Sequence, residues 1–337
     1  MKHNTPTRRR ALQALGMPLA SSAIAPWSVF AQSTLPIEQV KVVCGFPAGG
    51  TADTTSRRVA DKLGGSGFSR NNGVVENKTG AGGRIAIETV KNAAPDGSTL
   101  LLSAYSMLLI YPHIYKSLSY DPFKDFVPVS TASVLSHGLA VGPMVPASVK
   151  NVKDFLAWCK ANPDRANYGS PAAGSTPHFL GALLSLESGV PMQHVAYRGS
   201  VPGVTDVIGG QIPAMFTPHG DFLANHRAGK LRILATSGKQ RSVFVPEIPT
   251  FAEQGFSGLT VEEWFGFFAP AKTPAAVVNA ANAAIQSALK DKGVIDSLAL
   301  QGLSTLGSSP EDMAKDMRRL YEQWGPIVKR IGFTAES

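Results

Sequence analysis

Two junctions in the chain bring together residue types that can hold an anion. The first is Gly45-Phe-Pro-Ala-Gly-Gly-Thr-Ala-Asp53. Gly49 and Gly50 let the backbone approach a ligand closely. The helix read to follow leaves its first N–H groups without partners and partly positive. Such a turn can hold a carboxylate or a phosphate. It is equally an ordinary strand-to-helix turn in which Asp53 serves the first helical turn. The second junction runs from Asn167-Tyr-Gly-Ser170 to Gly174-Ser-Thr-Pro-His178. Ser175 or Thr176 is placed to cap the next helix, with Pro177 in its first turn. The plain alternative is a cap and nothing more. Two such junctions, one in each half of the chain, suit a ligand with two anionic groups.

Other chemistries lack their residues. Gly80-Ala-Gly-Gly-Arg84 misses the last glycine of the dinucleotide fingerprint. No G-x-x-x-x-G-K phosphate loop and no G-x-S-x-G elbow occurs. The seven histidines include no i, i+4 pair, which removes the helical zinc motif. Ser175 and His178 invite comparison with a nucleophile and its base. Three residues apart at a helix start, they read better as two ligand-facing or capping groups. Cys44 lies in an apolar strand and Cys159 on an apolar helix face. Both read as core thiols, although an oxidising compartment permits a disulfide.

The elements that must position these junctions alternate between short apolar runs and amphipathic helices, the pattern of an α/β protein. Val40–Cys44, Val74–Val75 and Thr99–Leu102 are strand candidates. Helical stripes appear at Ala52, Ser56, Val59 and Leu63, at Val152, Phe155, Leu156 and Cys159, and at Val278, Ala281, Ile285 and Leu289. The last helix is the best delimited. Ser309 is an N-cap, Pro310 suits the first position, and Asp312 completes something like a capping box. Met313, Met317, Leu320, Trp324 and Val328 then form its core face.

The 337 residues are about twice a typical domain, and 44% are hydrophobic against 17% charged. Residues 1–31 hold Lys2, Arg8, Arg9 and Arg10, no acid, a weakly apolar stretch and Val29-Phe30-Ala31. This is a secretion signal cleaved near Ala31, and Thr7-Arg-Arg-Arg-Ala-Leu12 partly matches a twin-arginine signal. Of 32 basic residues four fall in that segment, so 28 remain against 24 acidic ones. A mild excess with no cluster longer than two is not a nucleic-acid face. Beyond residue 31 no apolar run reaches the roughly 18 residues a membrane span needs.

Phe46-Pro-Ala-Gly-Gly-x-x-Asp53, Val75-Glu-Asn-Lys-x-Gly-Ala-Gly-Gly83, Ala94-Pro-Asp-Gly-Ser98 and Tyr120-Asp-Pro-Phe-Lys-Asp-Phe-Val-Pro128 occur in order. Gly174-Ser-Thr-Pro-His178, Tyr197-Arg-Gly199, Asp206-x-Ile-Gly-Gly-Gln211, Ala228-Gly-Lys-Leu-Arg232, Pro249-Thr-x-x-Glu-x-Gly255 and Trp264-Phe-Gly-x-Phe-Ala-Pro270 follow. The series resembles the Bug family, the periplasmic substrate-binding proteins of tripartite tricarboxylate transporters. The resemblance implies a type II periplasmic-binding-protein fold. Two α/β lobes, 33–133 plus 262–337 and 134–261, would enclose a cleft and be joined by two crossovers. It implies a non-enzymatic protein with no cofactor and no metal. Its ligand would be a carboxylate or dicarboxylate, and its partner the membrane subunits of such a transporter. A sensor protein is the alternative partner, and a Ser175/His178 hydrolase the alternative chemistry. The family's ligand loops map onto Phe46, Pro47, Gly49, Gly50 and Asp53, onto Ser103 to Ser106 with Ser103 and Tyr105 as the site candidates, onto Gly174, Ser175, Thr176 and His178, and onto Tyr197 and Gly199. Phe46 and Tyr197 would flank the ligand's aliphatic part. The chain departs from the family at Thr79, where Pro is usual, and at Thr217-Pro218-His219, where Asp or Asn usually follows Phe216.

Overall fold

Val42, Val43 and Cys44 are fully buried, as a strand covered on both faces must be. They lie in β1 (Lys41–Cys44), which passes through the glycine loop into α1 (Thr51–Ala60). The same alternation gives β2 (Val74–Asn77), α2 (Arg84–Lys91), β3 (Thr99–Ala104) and the short α3 (Tyr105–Leu109) and α4 (Tyr111–Ile114). Both β2 and β3 pair in parallel with β1. The computed structural model describes residues 1–2 and 35–335. Apart from its first two residues, the secretion signal read over 1–31 therefore lies outside the described residues. No described helix is long and apolar enough to cross a membrane.

β4 (Phe126–Val141) is the spine of the sheet. It is followed by α5 (Val152–Ala161), β5 (Asn167–Ser170), α6 (Thr176–Ser188), β6 (Gln193–Ala196), α7 (Ser200–Ile208), β7 (Ala214–Pro218), α8 (Leu223–Arg227) and β8 (Arg232–Thr236). The chain then returns through β9 (Glu262–Pro270), α9 (Ala275–Ala288), α10 (Lys292–Ala299), β10 (Ser304–Thr305) and α11 (Pro310–Ile331). The sheet order is β2-β1-β3-β9-β4-β7-β5-β6, with β8 and β10 also on β4. The first part of β4 pairs with β9 and the last part with β7 and β8, all antiparallel.

The core follows the period of two along β4. Leu139 and Val141 point into a cluster with Val152, Phe155 and Leu184, while Ala140 points to the opposite face, with Val207, Met215 and Phe222. A larger cluster joins β1, β3 and β9 to α1, α9 and α11. In α11 the Ser309 hydroxyl accepts from the Asp312 N–H at 3.0 Å, and Met313, Met317, Leu320, Trp324 and Val328 are all buried. Cys44 and Cys159 are free and buried. Burial pushes their thiols up to about 11 and about 12, so neither is a nucleophile at neutral pH.

One point on β4 ties the sheet together. Ser136 lies opposite Glu262 of β9, and His137 lies opposite Pro218 of β7, so the strand changes partner between them. The link from β8 to β9 passes beside the same point. There the Ser237 hydroxyl accepts from the His137 N–H (2.9 Å) and donates to the Val261 carbonyl (2.6 Å). The Ser237 N–H donates to the His137 carbonyl (2.8 Å). Ser237→Ala leaves a buried N–H and a buried carbonyl unpaired. It should lower unfolding free energy by about 1–3 kcal/mol in urea titration, and an unchanged midpoint would show that the clamp contributes nothing.

Candidate functional site

The first turns of α1, α6 and α7 converge on one cleft. Gly50, Thr51 and Ala52 come from α1 and its cap, Ser175 and Pro177 from α6 and its cap, and Ser200 and Val201 from α7. Each helix start leaves N–H groups unused by the helix. Phe46, Met107 and Phe265 supply apolar wall, and His137 and Glu263 line it as well. The space, open mouth included, is about 460 Å³. No lysine or arginine is among the described residues lining it.

The glycine loop takes its shape from Asp53, which faces inward. Its carboxylate accepts from the Gly49 N–H (3.0 Å), Arg57 Nε (3.0 Å) and Asn77 Nδ2 (2.8 Å). Burial opposes the charge, yet these donors hold the carboxyl below its usual range. Gly49 sits at φ +90°, a conformation that favours glycine. Pro47 reaches across to Gly199, where a Cβ would collide with the proline ring. Asp53 and Gly49 thus build the loop, while Phe46, Pro47 and Gly50 face the cleft.

At the second junction Ser175 lines the cleft, but its hydroxyl donates to the Ala172 carbonyl at 2.7 Å. Behind it, His178 Nδ1 accepts from the Gly174 N–H at 2.9 Å. The His178 ring stacks on His194 at 3.8 Å between centroids. Burial, with His194 adding to it, lowers the His178 pKa to about 3, and burial lowers that of His194 to about 4. The lone pair of His178 is therefore spent on the backbone. Ser175 and His178 do not engage each other, and the arrangement lacks the contact a nucleophile–base pair needs.

The remaining residues singled out from the sequence divide in the same way. Thr176 is buried at the first position of α6, with its hydroxyl unpartnered. Ser103 is buried and donates to the Ala104 carbonyl. Tyr105 is buried against Trp264, and its hydroxyl accepts from Trp324 Nε1. The Tyr197 hydroxyl donates to Asp206 at 2.8 Å. These four support the wall from behind.

Sequence reasoning missed His137, Glu263 and Asp221, whereas Ser106, the last residue of the loop the resemblance mapped after the third strand, lines the cleft. Glu263 is 2% exposed. One of its oxygens accepts from the Ser106 N–H (3.0 Å), and the other lies 2.8 Å from His137 Nε2. That last contact is close, but its angles are not those of a hydrogen bond, and both ring nitrogens lack an aligned partner. Asp221 follows β7, within the loop that departs from the family pattern. It accepts from the Thr51 N–H and from the Thr217 hydroxyl, both at 3.0 Å. Burial raises its pKa, offset in part by donors from Ser200, Thr51 and Thr217. His219 turns away, with Nδ1 on the Ser136 carbonyl (2.9 Å) and Nε2 by the Ser242 hydroxyl (3.0 Å). The one signal available was a pair of carboxylates within an otherwise apolar run, Val261-Glu-Glu-Trp-Phe265.

Helix starts converging on a cleft without fixed cations, on a curled mixed sheet, define a solute-binding α/β protein. A family model described as "Tripartite tricarboxylate transporter family receptor" matches residues 57–333. Protein BugT of Bordetella pertussis is 31% identical over 328 residues, covering 96% of this chain and 98% of BugT. MatC of Rhodopseudomonas palustris, solved with bound malate, superposes with a TM-score of 0.81 at 28% identity, covering 87% of this chain and 99% of MatC. An R. palustris protein solved with adipate gives 0.82 at 29%, covering 90% and 99%. The chain belongs to the tripartite tricarboxylate transporter receptor family, whose fold is that of periplasmic binding proteins.

The two histidines behind the cleft predict a pH dependence. Their folded pKa values lie below the ordinary 6.5, so the unfolded chain binds protons that the folded chain refuses. Stability is then fully present above pH 6.5 and is lost as pH falls toward 4. With both groups titrating, the loss approaches about 2.7 kcal/mol per pH unit. Urea midpoints measured at pH 7.5, 6 and 5 should fall, and His194→Gln should make the fall shallower. A flat profile would mean that the pair is not held neutral.

Proposed function

We propose that this protein captures a small carboxylate between two lobes, residues 33–133 plus 262–337 and residues 134–261, and delivers it to the membrane subunits of a tripartite tricarboxylate transporter. The observation that carries this reading is the convergence of three helix starts on one cleft with no lysine or arginine among its described lining residues. Backbone N–H groups hold a carboxylate at no cost in side-chain desolvation, and the helix ends add partial positive charge. Phe46, Pro47, Gly50, Ser175 and Ser200 bind, and Met107 and Phe265 exclude water from the ligand's body. The family's solved members with malate and adipate fit the same chemistry. The two crossovers would be Ser136–His137 and the stretch from Ser237 to Val261. Closure about them would present a face that exists only in the liganded state. The residue 1–31 signal would send the chain to the periplasm. The protein acts by binding alone, since Ser175 and His178 are each spent on the backbone.

Thermal unfolding of the purified chain against mono-, di- and tricarboxylates tests this. A ligand at a thousand times its Kd adds about 4 kcal/mol, which raises Tm by several degrees at this size. Val201 lines the cleft mouth at 41% exposure. Val201→Glu should therefore weaken the hit at least tenfold and leave the unliganded Tm in place. Silence across all carboxylates, or a hit indifferent to Val201→Glu, would remove the assignment.

A further inference from the structure

We propose that Asp221 is a built-in anion of the cleft: its carboxylate takes the place at the start of α1 that a ligand's second carboxylate would need, making this protein selective for monocarboxylates. The proposal rests on the carboxylate reading above and narrows it.

Four observations carry it. First, Asp221 Oδ1 accepts from the Thr51 N–H at 3.0 Å, although the two residues are 170 positions apart. Thr51 opens a ten-residue helix, so this N–H is one the helix itself cannot satisfy. The same carboxylate oxygen would lie 3.8 Å from a Cβ at Gly50, which lines the cleft. Second, the carboxylate is fixed in place. Its other oxygen accepts from Thr217, whose hydroxyl is 2.9 Å from that of Ser200. Gly220, the residue before it, backs so closely on the Gln301 carbonyl that a Cβ there would collide. Third, Glu263 puts a carboxylate in the wall itself, 2% exposed, on the Ser106 N–H. Fourth, no lysine or arginine among the described lining residues offsets these charges, and His137 is the one basic side chain there.

The starts of α6 and α7 remain for a ligand. Their first N–H groups sit beside Ser175, Thr176, Ser200 and Val201, and can hold one carboxylate. A second carboxylate placed toward α1 would meet Asp221 with no intervening cation. Like charges in a partly desolvated site repel strongly. The end of the ligand facing Asp221 therefore carries no negative charge, and a hydroxyl or ammonium there would find an acceptor. The Ser106 hydroxyl, buried, unpartnered and in the cleft wall, is a further group for that end to meet.

Matched pairs test this. Butanoate is compared with butanedioate, and hexanoate with hexanedioate, by calorimetry and thermal shift at pH 7.5. The proteins are the full chain, Asp221→Asn and Asp221→Ser. The asparagine keeps an acceptor for Thr51, and the serine opens the space. The unchanged chain should bind at least one monocarboxylate at least tenfold tighter than its dicarboxylate partner. Either variant should shift that ratio at least tenfold toward the dicarboxylate, with an unliganded Tm within a few degrees. A structural role alone would move Tm and leave the ratio in place. Dicarboxylates bound as tightly as their partners by the unchanged chain, or a ratio unmoved in both variants, would overturn the proposal while leaving the carboxylate reading intact. Silence of all three proteins toward all four acids would overturn both.

Discussion

An α-helix cannot satisfy its own first N–H groups, and much of this molecule is an answer to that constraint. At the surface a side chain of the same helix suffices, as Ser309 shows at the start of α11. Around the cleft the solutions come from elsewhere. Asp221 serves α1 from the loop after β7, 170 positions away, and Glu263 serves the first turn of α3 from a neighbouring strand. Asp53 serves the loop before its own helix. The starts of α6 and α7 line the same cleft. On the function proposed above, the backbone there meets the ligand's charge, and side chains decide how many charges are admitted.

The sheet makes that convergence possible. The strands β1, β2 and β3 are parallel, as are β5, β6 and β7, so the helices that follow β1, β5 and β6 all begin at carboxyl ends of strands. In open α/β sheets these ends are where ligands bind. β4 pairs along its length with strands on both groups' sides and changes partner at Ser136–His137, and the starts of α1, α6 and α7 line one cleft. His137 therefore stands both in the cleft wall and beside the Ser237 clamp.

Much of this was legible in the sequence, and the limit is physical. Both junctions, the helical stripes and the cap of the last helix are set by residues within a dozen positions of one another. The structure places them where local pattern puts them. Gly50 and Ser175, singled out by the same local chemistry, both line the cleft. What escaped was long-range. Thr51 to Asp221 and Ser106 to Glu263 span 170 and 157 positions, and no periodicity encodes such a pairing. Tyr105 and Tyr197 looked ligand-facing because they lie in ligand loops, yet their hydroxyls are held by Trp324 and Asp206 behind the wall. Their loops are near the cleft, but the direction of a side chain is decided by what packs against it. The departure at Thr217 to His219 marked the right loop, although His219 turns to Ser136 and Ser242 while Asp221, two residues on, reaches the Thr51 N–H at the start of α1.

The place of β9 has a consequence for how the chain is made. This strand is inserted between β3 and β4, although more than a hundred residues of chain separate it from either. Until it arrives, Leu101 and Leu102 lack the Phe267 and Phe268 that stand opposite them. The first hundred residues to emerge during synthesis therefore carry an unfinished sheet edge, with its apolar faces waiting. Pairings this distant are slow, because the loop must close before the contact forms. A long-lived unfolded interval follows from this topology, and the nascent chain spends it with β1 and β3 uncovered and open to aggregation.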